Sequence, residues 1–88
     1  MAQYKLFIKA SAARELRAIT NKRDRQRIVN RIQKLENDPT PRGSHKLSGK
    51  ERYRIRQGQY RIVYAIEAKQ LVVYVVQIGH RKDVYRTL

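Results

Sequence analysis

The sequence predicts an α+β domain of order β-α-α-β-β-β, with two N-terminal helices packed on one face of a mostly antiparallel four-stranded sheet and a short C-terminal tail. Three observations predict it. Apolar residues recur at helical spacing only between residues 12 and 35, and they alternate with polar ones before and after that stretch. The three later alternating segments are joined by connections too short for a crossover, so they form an antiparallel meander. The chain has 88 residues, room for one core, and it reads as a single domain over 1–88. Helices on one face leave the opposite face and its rim open for a ligand.

The elements follow in order. Residues 3–9, QYKLFIK, place Tyr4, Leu6 and Ile8 on one side of a first strand. Ser11 is the expected N-cap of a short helix carrying Ala12, Ala13, Leu16 and Ile19, with Glu15 in its first turns. Thr20 or Asn21 caps a second helix, in which Ile28, Val29, Ile32 and Leu35 recur at helical spacing. Arg23, Arg25, Arg27, Arg31 and Lys34 take its other positions, and Asn37-Asp38-Pro39 stops it, because proline lacks the amide and restricts the residue before it. Residues 38–52 read as a polar loop anchored by Leu47. Strands are expected over 52–57, 60–67 and 71–78, with Gly58 where a tight hairpin needs positive φ. The last strand is apolar on both faces, so it belongs in the middle of the sheet.

Charge is the strongest compositional signal. Lys and Arg number 21 against 7 acids, a net charge of +14, which repels itself in a compact fold and suits a polyanionic partner. Seven of these bases (Arg42, Lys46, Lys50, Arg52, Arg54, Arg56 and Arg61) lie between residues 42 and 61 with one acid, Glu51. There is no cysteine, which excludes disulfides, thiolate metal sites and thiol nucleophiles. No apolar run reaches the roughly 18 residues of a membrane span. The start, MAQYKLFIKA, lacks a signal peptide's long apolar region, so the expectation is a cytoplasmic protein with no membrane role.

The stretch RYRIRQGQYRIVY, residues 52–64, sets Tyr53 and Ile55 against Arg52, Arg54 and Arg56, and resumes after the turn with Tyr60, Ile62 and Tyr64 against Arg61. Arginine presents a planar fork of donors that matches phosphate oxygens in pairs and keeps its charge. Alternation alone leaves the face of Arg61 open, since one step of register reverses it. The same row also reads as a solvated outer face that discourages strand-to-strand aggregation. Tyr53, Tyr60 and Tyr64 share the apolar register, whereas Tyr85 sits in the polar tail and suits packing or base stacking equally. Lys46, Lys50, Arg52, Lys82 and Arg86 complete the basic surface expected to hold RNA.

No His/Asp/Glu cluster, Ser/His/Asp arrangement or glycine-rich phosphate loop is present, so neither a metal nor a cofactor is expected. RNA offers another route, because its 2′-OH attacks the adjacent phosphorus. A protein then has to position the strand, handle two protons and stabilise charge on phosphorus.

The run YRIRQGQYRIVY, followed further on by IGHRKDVYR, resembles the RelE family of toxins within the RelE/ParE superfamily. The segment LENDPTPRGSHKLSGKER matches that family's helix end and basic loop, and the order of elements agrees over nearly the whole chain. The resemblance implies the toxin of a type II toxin–antitoxin pair: a metal-independent, ribosome-dependent endoribonuclease (mRNA interferase) that cuts translated mRNA and is silenced by an acidic, RelB-like antitoxin. It implies that Arg61 stabilises charge on the scissile phosphate, that Arg81 assists departure of the 5′ oxygen and that Tyr85 stacks on a base. Arg54 and Arg56 stand where family members carry lysines that help deprotonate the 2′-OH. Arginine, with a pKa of about 12 or more, does not take that proton, so these two are phosphate clamps. His80 is then the expected proton acceptor, with water as the alternative. Two other functions fit the same chain: a ParE-like toxin that inhibits DNA gyrase through protein contacts, and a basic nucleic-acid-binding module without catalysis.

Overall fold

The computed structural model describes residues 3–47 and 51–80. The chain forms β1 (Lys5–Ile8), α1 (Ala10–Arg17), α2 (Lys22–Lys34), β2 (His45–Lys46), β3 (Arg52–Gln57), β4 (Tyr60–Glu67) and β5 (Val72–His80). The strands make one five-stranded sheet in the order β1-β5-β4-β3-β2. Only β1 and β5 pair in parallel, and the other three pairings are antiparallel. The α+β class and the helix-on-one-face arrangement are as expected, with one strand more than the four expected. That strand, β2, falls inside the expected 38–52 loop and pairs His45 with Arg54 and Lys46 with Tyr53. Two residues are too few to display an alternating pattern.

α1 starts earlier than Ser11. Lys9 holds the N-cap position without a side-chain cap, since its ammonium offers no acceptor; its amide donates to the Val75 carbonyl at 2.8 Å and its carbonyl receives Ala13 N–H. The strand therefore runs straight into the helix, and Ser11 falls within the first turn. α2 has its cap at Asn21, whose side chain accepts from Asp24 N–H at 3.0 Å. Asp24 in the first turn and Arg31 and Lys34 in the last both favour the helix dipole. The helix ends at Lys34, before the Asn37-Asp38-Pro39 stop, and the amides of Asn37 and Asp38 fold back onto the Lys34 carbonyl.

The core lies between the helices and one face of the sheet. Ala12, Ile19, Ile28, Ile32 and Leu35 meet Ile55, Ile62, Tyr64, Val73, Val75 and Ile78. Ile55, Ile62 and Ile78 are cross-strand partners, so the period of two brings them to one face together. A bulge at Val63/Tyr64 then pairs Val63 with Gln77 and Tyr64 with Val75, absorbing Val76 and keeping both ends of β5 in phase with the core. β5 is interior as expected, but β4 is the central strand. Glu15 fastens α1 to the sheet by accepting from Ile78 N–H at 3.0 Å.

On the outer face, Phe7 and Tyr74 pair across β1 and β5 and remain 50% and 40% exposed. No helix among the described residues is long and apolar enough to cross a membrane.

Candidate functional site

Everything at the site follows from the β3–β4 turn. Gln57 pairs with Tyr60, leaving a two-residue connection, Gly58-Gln59, with Gly58 at φ +61°. Positive φ at the first central residue alone is the pattern of a type II′ turn, whose twist suits a hairpin. Arg56 then stands directly opposite Arg61, and Arg54 opposite Val63. Direct partners share a face, so Arg54, Arg56 and Arg61 all project outward. The register that alternation left open is fixed by the length of this turn.

The three arginines are not equivalent. Arg56 is exposed, Arg54 is half-buried, and Arg61 is only 6% exposed. On its other side Arg61 pairs with Gly79, which has no side chain to cover it. Arg54 is flanked across β2 by His45. Beyond β2, Pro41–Ser44 make a turn in which Ser44 N–H donates to the Pro41 carbonyl at 3.0 Å, with Gly43 at φ +94° in the position that a type II turn gives to glycine. Together Gly43, His45, Arg54, Arg56 and Arg61 line a cleft of about 370 Å³ with no carboxylate among its described lining residues. Converging guanidinium groups repel one another, and an anion seated among them reverses that term.

Tyr64 holds the loop in place from the core side. Its hydroxyl donates to the Pro39 carbonyl at 2.7 Å and its ring stacks on Tyr53 at 5.9 Å. Burial pushes the phenol up to about 12, against a smaller lowering by Ser44, so it keeps its proton and serves as a strut.

The structure does not bring His80 to this cleft. Gly79 takes the outer position opposite Arg61, so the next residue falls on the helix side, where His80 pairs with Tyr60. Their rings meet edge to face at 5.8 Å, and His80 lines a different cleft with Glu15 and Thr20. Lys46 shares the face of Tyr53 and forms an exposed ion pair with Glu51 at 3.8 Å, which contributes little. Arg52 lies on the arginine face, opposite Ala65 and exposed. Lys50, Arg81, Lys82, Tyr85 and Arg86 lie outside the described residues. Sequence reasoning missed His45, because its place depends on a two-residue strand; the signal was a titratable residue inside the basic loop.

A family model described as the ParE toxin of the type II toxin–antitoxin system parDE matches residues 6–85. The chain belongs to this toxin family, in the RelE/ParE superfamily. No curated protein sequence matches it. Solved structures of RelE toxins share the fold of this ParE-family toxin. The RelE–RelB complex of the archaeon Pyrococcus horikoshii matches with a TM-score of 0.80 and 28% identity, covering 92% of this chain and 97% of that one. The RelBE2 toxin–antitoxin complex of Mycobacterium tuberculosis gives 0.78 and 23%, covering 90% and 99%. The intact RelBE complex of Escherichia coli gives 0.74 and 25%, covering 88% and 95%. All three structures are complexes with an antitoxin.

Proposed function

We propose that this toxin is a metal-independent endoribonuclease acting on mRNA at the ribosome in the cytoplasm, held inactive by an acidic, RelB-like antitoxin. The observation that carries the proposal is the convergence of Arg54, Arg56 and Arg61 on one cleft that also contains His45. A phosphodiester seated there meets fixed positive charge on a stiff hairpin, which needs no reorganisation as charge builds on phosphorus. The 2′ oxygen forms a bond to phosphorus as the bond to the 5′ oxygen breaks. Among the described residues lining the cleft, His45 carries the imidazole that can accept the 2′-OH proton, and the leaving 5′ oxygen gains a proton from water. Arg61, the buried member, sits nearest the role of charge stabiliser, with Arg54 and Arg56 as clamps. Arg81 at the 5′ oxygen and Tyr85 on a base complete the proposal, and the family resemblance is what supports these two.

A second reading, gyrase inhibition through protein contacts, is favoured by the parDE description of the matching family. The test separates them. Wild type and Arg61→Ala are expressed in growing bacteria and an abundant message is mapped by primer extension. New 5′ ends within translated codons from wild type alone support the nuclease; arrest with intact messages and trapped gyrase supports the other reading.

A further inference from the structure

Arg27, Arg31 and Lys34 follow one another at spacings of four and three, which puts them on one face of α2. With Asn30 and Gln57 they line a second cleft, of about 300 Å³, between the helix and the end of β3. None of the three cations forms an ion pair among the described residues. Arg25, by contrast, is spent inside the fold, donating to the Ile19 carbonyl at 2.8 Å. The Asn30 side-chain oxygen accepts from Gln26 at 3.2 Å, which leaves its amide N–H groups to donate into the cleft.

This cleft adjoins the arginine cleft at two points. Arg31 Nη2 lies 3.8 Å from where a Cβ on Gly43 would sit, and Gly43 lines the arginine cleft. Gln57 directly follows Arg56 on β3. Between these points β2 pairs only with Tyr53 and Arg54, so the edge of β3 from Ile55 to Gln57 has no strand beside it among the described residues. A basic strip therefore runs around that edge from the outer face to α2. Arg31 Nε, at the junction, is buried with no hydrogen-bond partner among the described residues.

The chemistry of the strip favours nucleic acid over protein. Among the described residues, the exposed large apolar side chains are Phe7 and Ile8 on β1, Leu71 just before β5 and Tyr74 near its start, all away from the strip. A protein partner needs apolar anchors at the centre of its interface, whereas a phosphate backbone needs only cations and amide donors.

We propose that the α2 cleft is a second phosphate site, holding the backbone of single-stranded RNA that continues from the phosphate in the arginine cleft. The inference rests on the RNA-cleaving reading and extends it: α2 sets which linkage of the strand reaches Arg61. The test is fluorescence anisotropy with 2′-O-methyl RNAs of about four and about twelve nucleotides, which lack a free 2′-OH and span one or both clefts. Against the longer RNA, Arg27→Gln/Lys34→Gln is expected to lose about tenfold in affinity and about 1.4 in salt slope, as two phosphate contacts on a single strand require. The shorter RNA is expected to bind within about twofold of wild type, and Lys5→Gln/Lys69→Gln, which removes equal charge near β1 and β5, to change neither RNA by more than that. Equal losses for both lengths, equal losses in both variants, or unchanged binding of the longer RNA overturns the proposal. So does a loss confined to binding of ribosomes without message or of an acidic antitoxin peptide. Cleavage of ribosome-bound message by wild type is scored separately: its absence, with the length-dependent loss intact, overturns the nuclease alone and leaves a strand-binding groove.

Discussion

Arg56 and Arg61 face each other as a direct pair across the β3–β4 hairpin, the one exposed and the other 6% exposed. A buried guanidinium beside an exposed one divides the work: the outer group meets an anion first, and the inner one holds its field where water is excluded. Arg61→Ala is expected to lower the rate of message cleavage by about 10²–10³ while RNA affinity falls far less. Single-turnover cleavage at saturating toxin measures the first, and anisotropy with uncleavable RNA the second.

His45 and His80 make opposite predictions from opposite faces of the sheet. A proton acceptor works only when neutral, so the rate should fall on acidification through the range in which histidines take up a proton. His45→Gln should remove that acid limb and slow cleavage by about 10²-fold, whereas His80→Gln should retain the limb. Rates measured between about pH 5 and 8 for both variants decide it.

Tyr64 predicts an alkaline signature. Its folded value, raised to about 12 from 10, exceeds that of the unfolded chain, so the unfolded state releases the proton first. The stabilisation is fully present below pH 10 and is lost as pH rises toward about 12, a total of about 2–3 kcal/mol. Tyr64→Phe should cost about 1 kcal/mol at neutral pH by leaving the Pro39 carbonyl without its donor, and should flatten the alkaline decline. Denaturant titrations of the two proteins at several alkaline pH values test the difference.

Gly58 fixes the face of Arg61, and a Cβ there meets no neighbour within 4 Å among the described residues, so the penalty of substitution is conformational at φ +61°. Gly58→Ala should destabilise the fold by about 1 kcal/mol, read from urea unfolding, with a larger loss of cleavage if the hairpin slips.

Charge also sets the encounter with the antitoxin. With +14 on 88 residues, association with an acidic partner should slow at least about tenfold between low and high salt, while dissociation changes less. Stopped-flow mixing at several ionic strengths measures both rates.

Much of this architecture is legible from residue order, because the signals are long. The α2 core stripe and the three later strands each repeat their period several times, so element type and the buried face follow. The remainder turns on single steps. Two residues of β2 carry no periodicity, yet they deliver His45 to Arg54. The side of the sheet on which Arg61 falls depends on a turn of two rather than three residues. His80 was expected as the proton acceptor because arginine does not take that proton, but it follows Gly79, the partner of Arg61, and adjacency in a strand means opposite faces. The first helix does not take its expected Ser11 cap because strand pairing runs through Lys9 and the helix starts at Ala10, which places Ser11 inside the first turn.

Phe7 and Tyr74 leave one half of the outer face greasy while the arginines make the other half cationic. Dissolved ions treat these halves in opposite ways: they mask attraction at the second, and excluded ions such as sulfate tighten adhesion at the first. Ionic strength alone therefore sorts what clings to this small sheet, loosening polyanions while leaving oily contacts in place.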